Sequence, residues 1–286
     1  MNILITGGSG FIGTNLYLFF LKNTKNKLYL LDKKKNKFLK PKNFIKVDIN
    51  NIFELENKIK KKKIDVIIHL AAISGVKHCH ENTISSFKDN IVSTFNIINL
   101  AKNLNIKKIL IASSFSVKTF TEKPSFYGFT KNTVENMVYS FRENYNLNIS
   151  ILRFSNVFGP YSSHKVSAVH NFIKNSLKNK PLLIHGTGKQ SRDFIHVSEI
   201  SKKINKIMHE KNLRFIYSLN TKKKTSINSI INIINKISKK KNKFKYVTAP
   251  EGYDVRPDSI KPSNNLNKKL YNYLQNTYSW YRQLLL

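Results

Sequence analysis

Apolar residues along this chain follow two alternating patterns. Short continuous runs within Asn2 to Ile5, Lys27 to Leu31, Phe44 to Val47, Asp65 to Leu70, Lys107 to Ala112 and Ile149 to Phe154 read as strands buried on both faces. Between them apolar positions recur at helical spacing. Ile12, Leu16, Phe19 and Phe20 mark one helix, Ile52, Leu55 and Ile59 a second, and Val134, Met137, Val138 and Phe141 a third from 127 to 145. A long helix is predicted from 82 to 105, with Ile84, Phe87, Ile91, Phe95 and Ile98 on one face and Ile97, Leu100 and Leu104 widening it. So broad a band implies packing on two sides, against a sheet and a second subunit. Strands alternating with helices through residue 155 require a parallel sheet with right-handed crossovers.

After Gly159-Pro160 the pattern loosens. Val169, Phe172, Ile173 and Leu177 predict a helix, Leu182 to Ile184 and Phe194 to Val197 two strands, and Ile230, Ile233, Ile234 and Ile237 a later helix. The aromatic and apolar tail from Asn264 to Leu286 suits a docked terminal helix. The expected organisation is an α/β domain over 1–158 and a smaller α/β lobe over 159–286, with segments around 192–220 returning to the first domain.

Composition narrows the class. Apolar content of 41% is ordinary for a folded chain of 286 residues. The single cysteine, Cys79, excludes an internal disulfide and suits a reducing compartment. The first apolar run is broken by glycines and Asn15 with no basic segment before it, so it reads as strand and helix rather than as a signal peptide. No stretch is long and clean enough to span a bilayer. A soluble cytoplasmic protein is expected. Fifty Lys and Arg against 16 acids give a net charge of +34. This suits either a solvated surface, shaped by the Lys, Asn and Ile bias of an AT-rich genome, or a polyanion partner. The lysine runs fall at expected helix ends and loops, which favours the first, and the field would draw in any small anionic substrate.

Candidate chemistry begins at Thr6-Gly7-Gly8-Ser9-Gly10-Phe11-Ile12-Gly13, between the first strand and the first helix. Gly7 and Gly10 permit a tight turn and close approach of a ligand, while Gly13 lets the helix lie against the strand. The helix start then faces an anion, most simply a pyrophosphate, although an ordinary tight turn has the same spacing. Asp32 ends the second strand, 25 residues after Gly7. Its carboxylate can accept hydrogen bonds from the ribose hydroxyls of NAD, and Lys33 and Lys34 beside it leave room for NADP. Tyr127 and Lys131, four apart, share one helix face. A free tyrosine ionises near about pH 10, so it acts as a base at neutrality only where a cation such as Lys131 or an oxidised nicotinamide stabilises the phenolate. A surface helix pair has the same spacing. Ser114 closes a parallel strand, where a ligand-binding hydroxyl is expected. His78-Cys79-His80 falls in the predicted loop after the strand at 65–70; consecutive residues rarely converge on one ion, so it reads as pocket lining and no metal is expected.

Taken together these segments resemble the extended short-chain dehydrogenase/reductases, in their nucleotide-sugar epimerase/dehydratase branch, over nearly the whole chain. TGGSGFIG is similar to the family's cofactor turn, Asp32 to its ribose ligand, Asp48-Ile49 to its adenine-side pair, and His69-Leu70-Ala71-Ala72 to the motif lining the cofactor. Asn90 matches the asparagine of the long helix, and Ser114, Tyr127 and Lys131 match the catalytic triad. The segment Arg153 to Pro160 is similar to the one whose asparagine, here Asn156, contacts the nucleotide sugar. That from Gln190 to Val197 resembles the one whose arginine, here Arg192, grips the diphosphate, and Arg256-Pro257-Asp258 resembles a second clamp.

The resemblance implies a Rossmann-type doubly wound sheet with a substrate-binding lobe, NAD held by Gly7, Gly10 to Gly13, Asp32, Asp48, Ile49, Leu70 to Ala72, Asn90, Tyr127 and Lys131, and a nucleotide sugar held by Ser74, Ser114, Asn156, Arg192 and Arg256. It also implies a homodimer. Family dehydratases carry an Asp-Glu pair after the catalytic hydroxyl; Phe115 and Ser116 stand there, which disfavours dehydration. C4 epimerisation of a UDP-hexose or UDP-N-acetylhexosamine is the first expectation. The chain departs from the family at Lys118-Thr119, in a shortened loop from Ser114 to Tyr127, and at the clamp, Arg256-Pro257-Asp258-Ser259 where Arg-x-Gly-Asp is usual; just beyond it, where some family members carry a bulky aromatic, Pro262-Ser263 would leave space for an N-acetyl group. The alternatives are a keto-sugar reductase and a basic nucleotide- or RNA-binding protein on the same scaffold.

Overall fold

The computed structural model describes residues 1–117, 125–248 and 268–286. In chain order the elements are β1 Asn2–Thr6, α1 Phe11–Asn23, β2 Lys27–Asp32, β3 Phe44–Lys46, α2 Ile52–Ile59, β4 Val66–His69, α3 Val76–Glu81, α4 Thr83–Phe87, α5 Ser93–Asn103, β5 Lys108–Ser114, α6 Phe126–Tyr145 and β6 Ile149–Phe154. There follow β7 Asn156–Phe158, α7 Ala168–Leu177, β8 Leu182–His185, β9 Ser191–His196, α8 Val197–Ile207, β10 Ile216–Leu219, β11 Lys224–Ser226, α9 Ile227–Ser238, β12 Phe244–Val247 and α10 Lys268–Leu285. The backbone groups into two units, Met1–Phe154 with Ile200–Leu219, and Ser155–Glu199 with Asn220–Leu286.

The first unit holds a parallel sheet ordered β10-β6-β5-β4-β1-β2-β3. This is the Rossmann-type doubly wound arrangement, and strand order reverses between β1 and β4, where a crevice opens at the C-terminal strand ends. Continuous apolar strands follow from burial on both faces: Ile3, Leu4 and Ile5 of β1, Ile67 and Ile68 of β4, and Leu110 and Ile111 of β5 are all fully buried. In the second unit β7 runs parallel to β9, β11 antiparallel to β9, and β12 parallel to β8. A core from α7, α9 and α10, including Phe172, Ile230, Leu274 and Tyr281, packs within it.

Several expectations need correction. His78, Cys79 and His80 stand on a helix, α3, and not in a loop. The predicted helix over 82–105 is broken into α4, a π-helical turn at Lys88–Val92, and α5. Its band is also split, because Ile91, Ile97, Ile98 and Leu100 are buried whereas Ile84 is 74% and Phe95 45% exposed. The strand expected at 194–197 begins earlier and stops at His196, where Val197 opens α8, a helix the sequence analysis omits. Its signal was present in Ile200, Ile204 and Ile207, all buried.

Candidate active site

At the C-terminal edge of the first sheet, β1 gives way to the glycine turn. Gly7 has φ +65°, and a Cβ there would lie 2.7 Å from the Ala71 amide nitrogen, so the turn presses against the chain leaving β4. A Cβ on Gly13 would lie 2.3 Å from the Gly7 carbonyl oxygen; only glycine lets α1 start so close to the turn. No side chain caps α1 and no acid stands in its first turn, so the positive end of its dipole is left open to an anion. Asp32 is fixed beside the turn, its Oδ2 accepting from the Ser9 amide and its Oδ1 from the Lys34 amide, each at 3.0 Å. Lys33 is drawn off to Asp89 at 2.7 Å. A turn that a Cβ would fill, an uncapped helix start and a carboxylate at a strand tip are what the pyrophosphate and ribose of a dinucleotide require.

Polar side chains tie this turn to the neighbouring elements. Thr6 Oγ1 lies 2.7 Å from His69 Nδ1 and accepts from the Ala71 amide at 3.3 Å; His69 Nε2 lies 3.1 Å from Thr94 Oγ1, which donates to the Asn90 carbonyl at 2.6 Å. Because the Thr94 hydroxyl proton goes to that carbonyl, His69 donates from Nε2 and accepts at Nδ1. Burial, with Lys131 adding to it, pulls His69 down to about 3 and keeps it neutral. Asn90, in the π-helical turn, accepts from the Ile73 amide at 2.8 Å and donates to the Ile73 carbonyl and Thr130 Oγ1, both at 3.1 Å. Ser74, beside Ile73, is half-buried, as are Leu70, Ala71 and Ala72. Asp48 Oδ1 accepts from the Asn50 amide at 2.9 Å, and the buried Ile49 accepts at its carbonyl from Asn96 at 3.0 Å.

Ser114, Tyr127 and Lys131 come together at the end of β5. Ser125 caps α6 by accepting from the Gly128 amide at 3.1 Å, which puts Tyr127 in the first turn and Lys131 one turn on. The Tyr127 phenol shares a hydrogen bond with Ser114, whose Oγ also lies 3.1 Å from both the Ser116 hydroxyl and amide. Burial pushes Tyr127 up to about 12 against that hydrogen bond. Lys131 donates to the Ala112 carbonyl at 3.0 Å instead of to the phenol. Burial pulls its ammonium down to about 8, with Cys79 and Glu135 acting in the opposite direction.

The model of the NAD dependent epimerase/dehydratase family matches residues 3–216. The chain belongs to that family. Among its relatives is a UDP-glucuronate 4-epimerase from Thermodesulfobacterium geofontis, 31% identical over 85% of this chain and 83% of the relative. A UDP-glucuronic acid 4-epimerase from Bacillus cereus, solved with UDP-glucuronic acid and NAD, is 27% identical with a TM-score of 0.82 over 99% of this chain and 100% of its own. A UDP-N-acetylglucosamine 4-epimerase from Methanobrevibacter ruminantium, solved with UDP-N-acetylmuramic acid, is 28% identical with a TM-score of 0.85 over 99% of both chains. NAD is the cofactor of this epimerase/dehydratase chain, and the turn, helix start and Asp32 fit it.

Of the remaining residues singled out from the sequence, Asn156 and Arg192 stand on the paired strands β7 and β9 of the second unit. Asn156 Nδ2 donates to the Asp193 carbonyl at 3.3 Å, and Arg192 donates to the Ser191 carbonyl at 2.7 Å. Arg256 lies outside the described residues, as do Lys118, Thr119, Pro262 and Ser263. Among the described residues no three His, Cys, Asp or Glu side chains gather as a metal site would need; His78 and His80 are exposed while Cys79 is buried. No helix among them is long and apolar enough to cross a membrane. Sequence reasoning missed Thr94, Ser113 and Glu135. Each is an ordinary polar residue inside an element, and only Glu135, one turn beyond Lys131, carried a spacing signal.

Proposed function

We propose that this NAD-dependent enzyme inverts C4 of a UDP-linked hexose or N-acetylhexosamine. The observation that carries the reading is the meeting of Ser114, Tyr127 and Lys131 at the end of β5, in a chain whose relatives include UDP-sugar 4-epimerases. When bound, NAD supplies the hydride acceptor and a positively charged ring. Tyr127, through its phenolic oxygen, takes the proton of the C4 hydroxyl. Ser114 donates a hydrogen bond to the same sugar oxygen. Lys131 holds positive charge beneath the phenol and donates to the nicotinamide ribose. Inversion then requires the C4 ketone to present its other face, so that C4 regains the hydride there as Tyr127 returns the proton to oxygen. Asn156, Arg192 and Arg256 anchor the nucleotide, the arginines through paired, charge-assisted hydrogen bonds to the diphosphate. Water elimination needs an acid and a base beside the reacting carbon. The residues after Ser114 are Phe115 and Ser116, and the Ser116 hydroxyl is already engaged with Ser114, so epimerisation is favoured.

The protein acts as a homodimer through α4, α5 and α6, where Ile84, Phe87, Phe95 and Tyr139 leave apolar surface exposed. Purified protein incubated with UDP-glucose, UDP-N-acetylglucosamine and UDP-glucuronate, and followed by proton NMR, should convert at least one to its C4 epimer without consuming added cofactor. Stoichiometric oxidation of NADPH with a 4-keto sugar, and no epimer from any of the three, would instead make it a reductase. Tyr127→Phe should lower kcat by about 10²- to 10⁴-fold while the nucleotide sugar still binds.

A further inference from the structure

Three consecutive residues of β5 receive three residues of α6 that lie one turn apart. The Ala112 carbonyl accepts from Lys131 at 3.0 Å, the Ser113 hydroxyl donates to Glu135 Oε1 at 2.6 Å, and Ser114 shares its hydrogen bond with Tyr127. The spacing 127, 131, 135 puts all three on one helix face. Glu135 is 5% exposed. It is held from β6 by Arg153, whose Nε lies 2.9 Å from Oε1 and 3.1 Å from Oε2, while Nη2 reaches Oε2 at 2.5 Å. Arg153 and Ser113 are register partners across the β5–β6 pair, so both donors reach the carboxylate from one rung of the sheet. A buried carboxylate with a guanidinium fork and a hydroxyl is a geometrically exacting contact, because removal of any partner leaves a polar group stranded.

We propose that Glu135 is a positioning residue for Lys131: clamped by Arg153 and Ser113, it sets how α6 seats on β5 and so where Lys131, one turn before it, is held against the Ala112 carbonyl. The inference rests on the reading that Lys131 serves the reaction as a cation. The charged and titratable groups facing Lys131 are Cys79 from α3, the neutral His69 from β4, and Tyr127 and Glu135 from its own helix. Cys79 is itself pushed up by burial and stays a thiol at neutrality. Glu135 is the one carboxylate among these four, and its loss strands the Arg153 cation nearby.

The test is a pH titration of Lys131 in the NAD-loaded protein by NMR of carbon-13 lysine, its signal assigned from Lys131→Arg, beside kcat/KM profiles. In Glu135→Gln the Lys131 midpoint and the alkaline limb of kcat/KM should both move down by about one pH unit. Arg153→Gln removes a positive charge beside Glu135 and leaves Ser113 and an amide on its carboxylate, so both should move up. Opposite signs are the signature, since a contact that only supports the fold would lower activity in both variants without moving either midpoint. Should Glu135→Gln fail to fold, the upward shift in Arg153→Gln decides. An unmoved Lys131 signal in a folded variant overturns the inference, whereas a moved signal with an unchanged kcat/KM profile upholds it and removes Lys131 from the reaction.

Discussion

Gly13 has little latitude of substitution, because the Cβ of any other residue would fall 2.3 Å from the backbone oxygen of Gly7. Gly13→Ala must push α1 away from the turn, and NAD affinity measured by calorimetry should fall at least about tenfold, with the protein still folded. The buried histidines carry a different consequence. His69 and His170 are both pulled from about 6.5 down to about 3, mainly by burial, with Lys131 adding at the first and Lys165, Lys174 and His164 at the second. Between these values the unfolded chain binds a proton at each site that the folded chain does not, so stability is lost as pH falls from about 6.5 towards about 3. Denaturant midpoints across that range should decline, and His69→Gln should flatten the decline by up to one proton's worth; an unchanged slope would show that His69 is charged in the fold.

The π-helical turn at Lys88–Val92 interrupts a helix that sequence periodicity alone would leave continuous. Its wider ring places Asn90 where one side chain takes both the amide and the carbonyl of Ile73. The segment between β4 and α3, which carries Ala71, Ala72 and Ser74, is thereby held from the helix side. Asn90→Ala would leave the Ile73 amide without its acceptor, while the Ile73 carbonyl keeps Cys79 Sγ at 3.5 Å and Thr130 keeps the Tyr127 carbonyl, a cost of about 1–3 kcal/mol. Urea unfolding should read it as a lower midpoint with an unchanged slope. Helix α6 works by the same logic over a longer span, since its first turn is set by the Ser125 cap and its third by the Glu135 clamp. Tyr127 and Lys131 lie between two fixed points.

Across the molecule the excess of positive charge is spread over element ends. Lys60 to Lys62 form a 3-10 turn after α2, Lys33 to Lys35 follow β2, and Lys239 to Lys241 follow α9. Six of the exposed large apolar residues, Ile84, Phe87, Phe95, Phe129, Tyr139 and Tyr145, stand on α4, α5 and α6. Replacing Ile84 and Phe95 together by glutamate should convert the proposed dimer to monomer in sedimentation; because Phe95 also packs against Phe141, Ile84→Glu alone, at a 74% exposed site, is the variant expected to leave the thermal midpoint little changed. A dimer that survives would put its contact elsewhere. Most of the first sheet was legible along the chain, because strands buried on both faces must be apolar throughout and their helices must alternate. The glycine turn, Asp32 and the Tyr127–Lys131 pair were legible too, since each depends on residues close together in sequence. Helix α8 carried a signal in Ile200, Ile204 and Ile207 that went unread, whereas the π-helical turn and the partners of Glu135 left none. They arise where side chains meet backbone or charge brought near by folding: Asn90 with Ile73, Glu135 with Ser113 and Arg153. Local periodicity records which face of an element is buried, but a buried polar group is satisfied by whatever the fold carries to it, and that is fixed only when β4, β5 and β6 lie side by side.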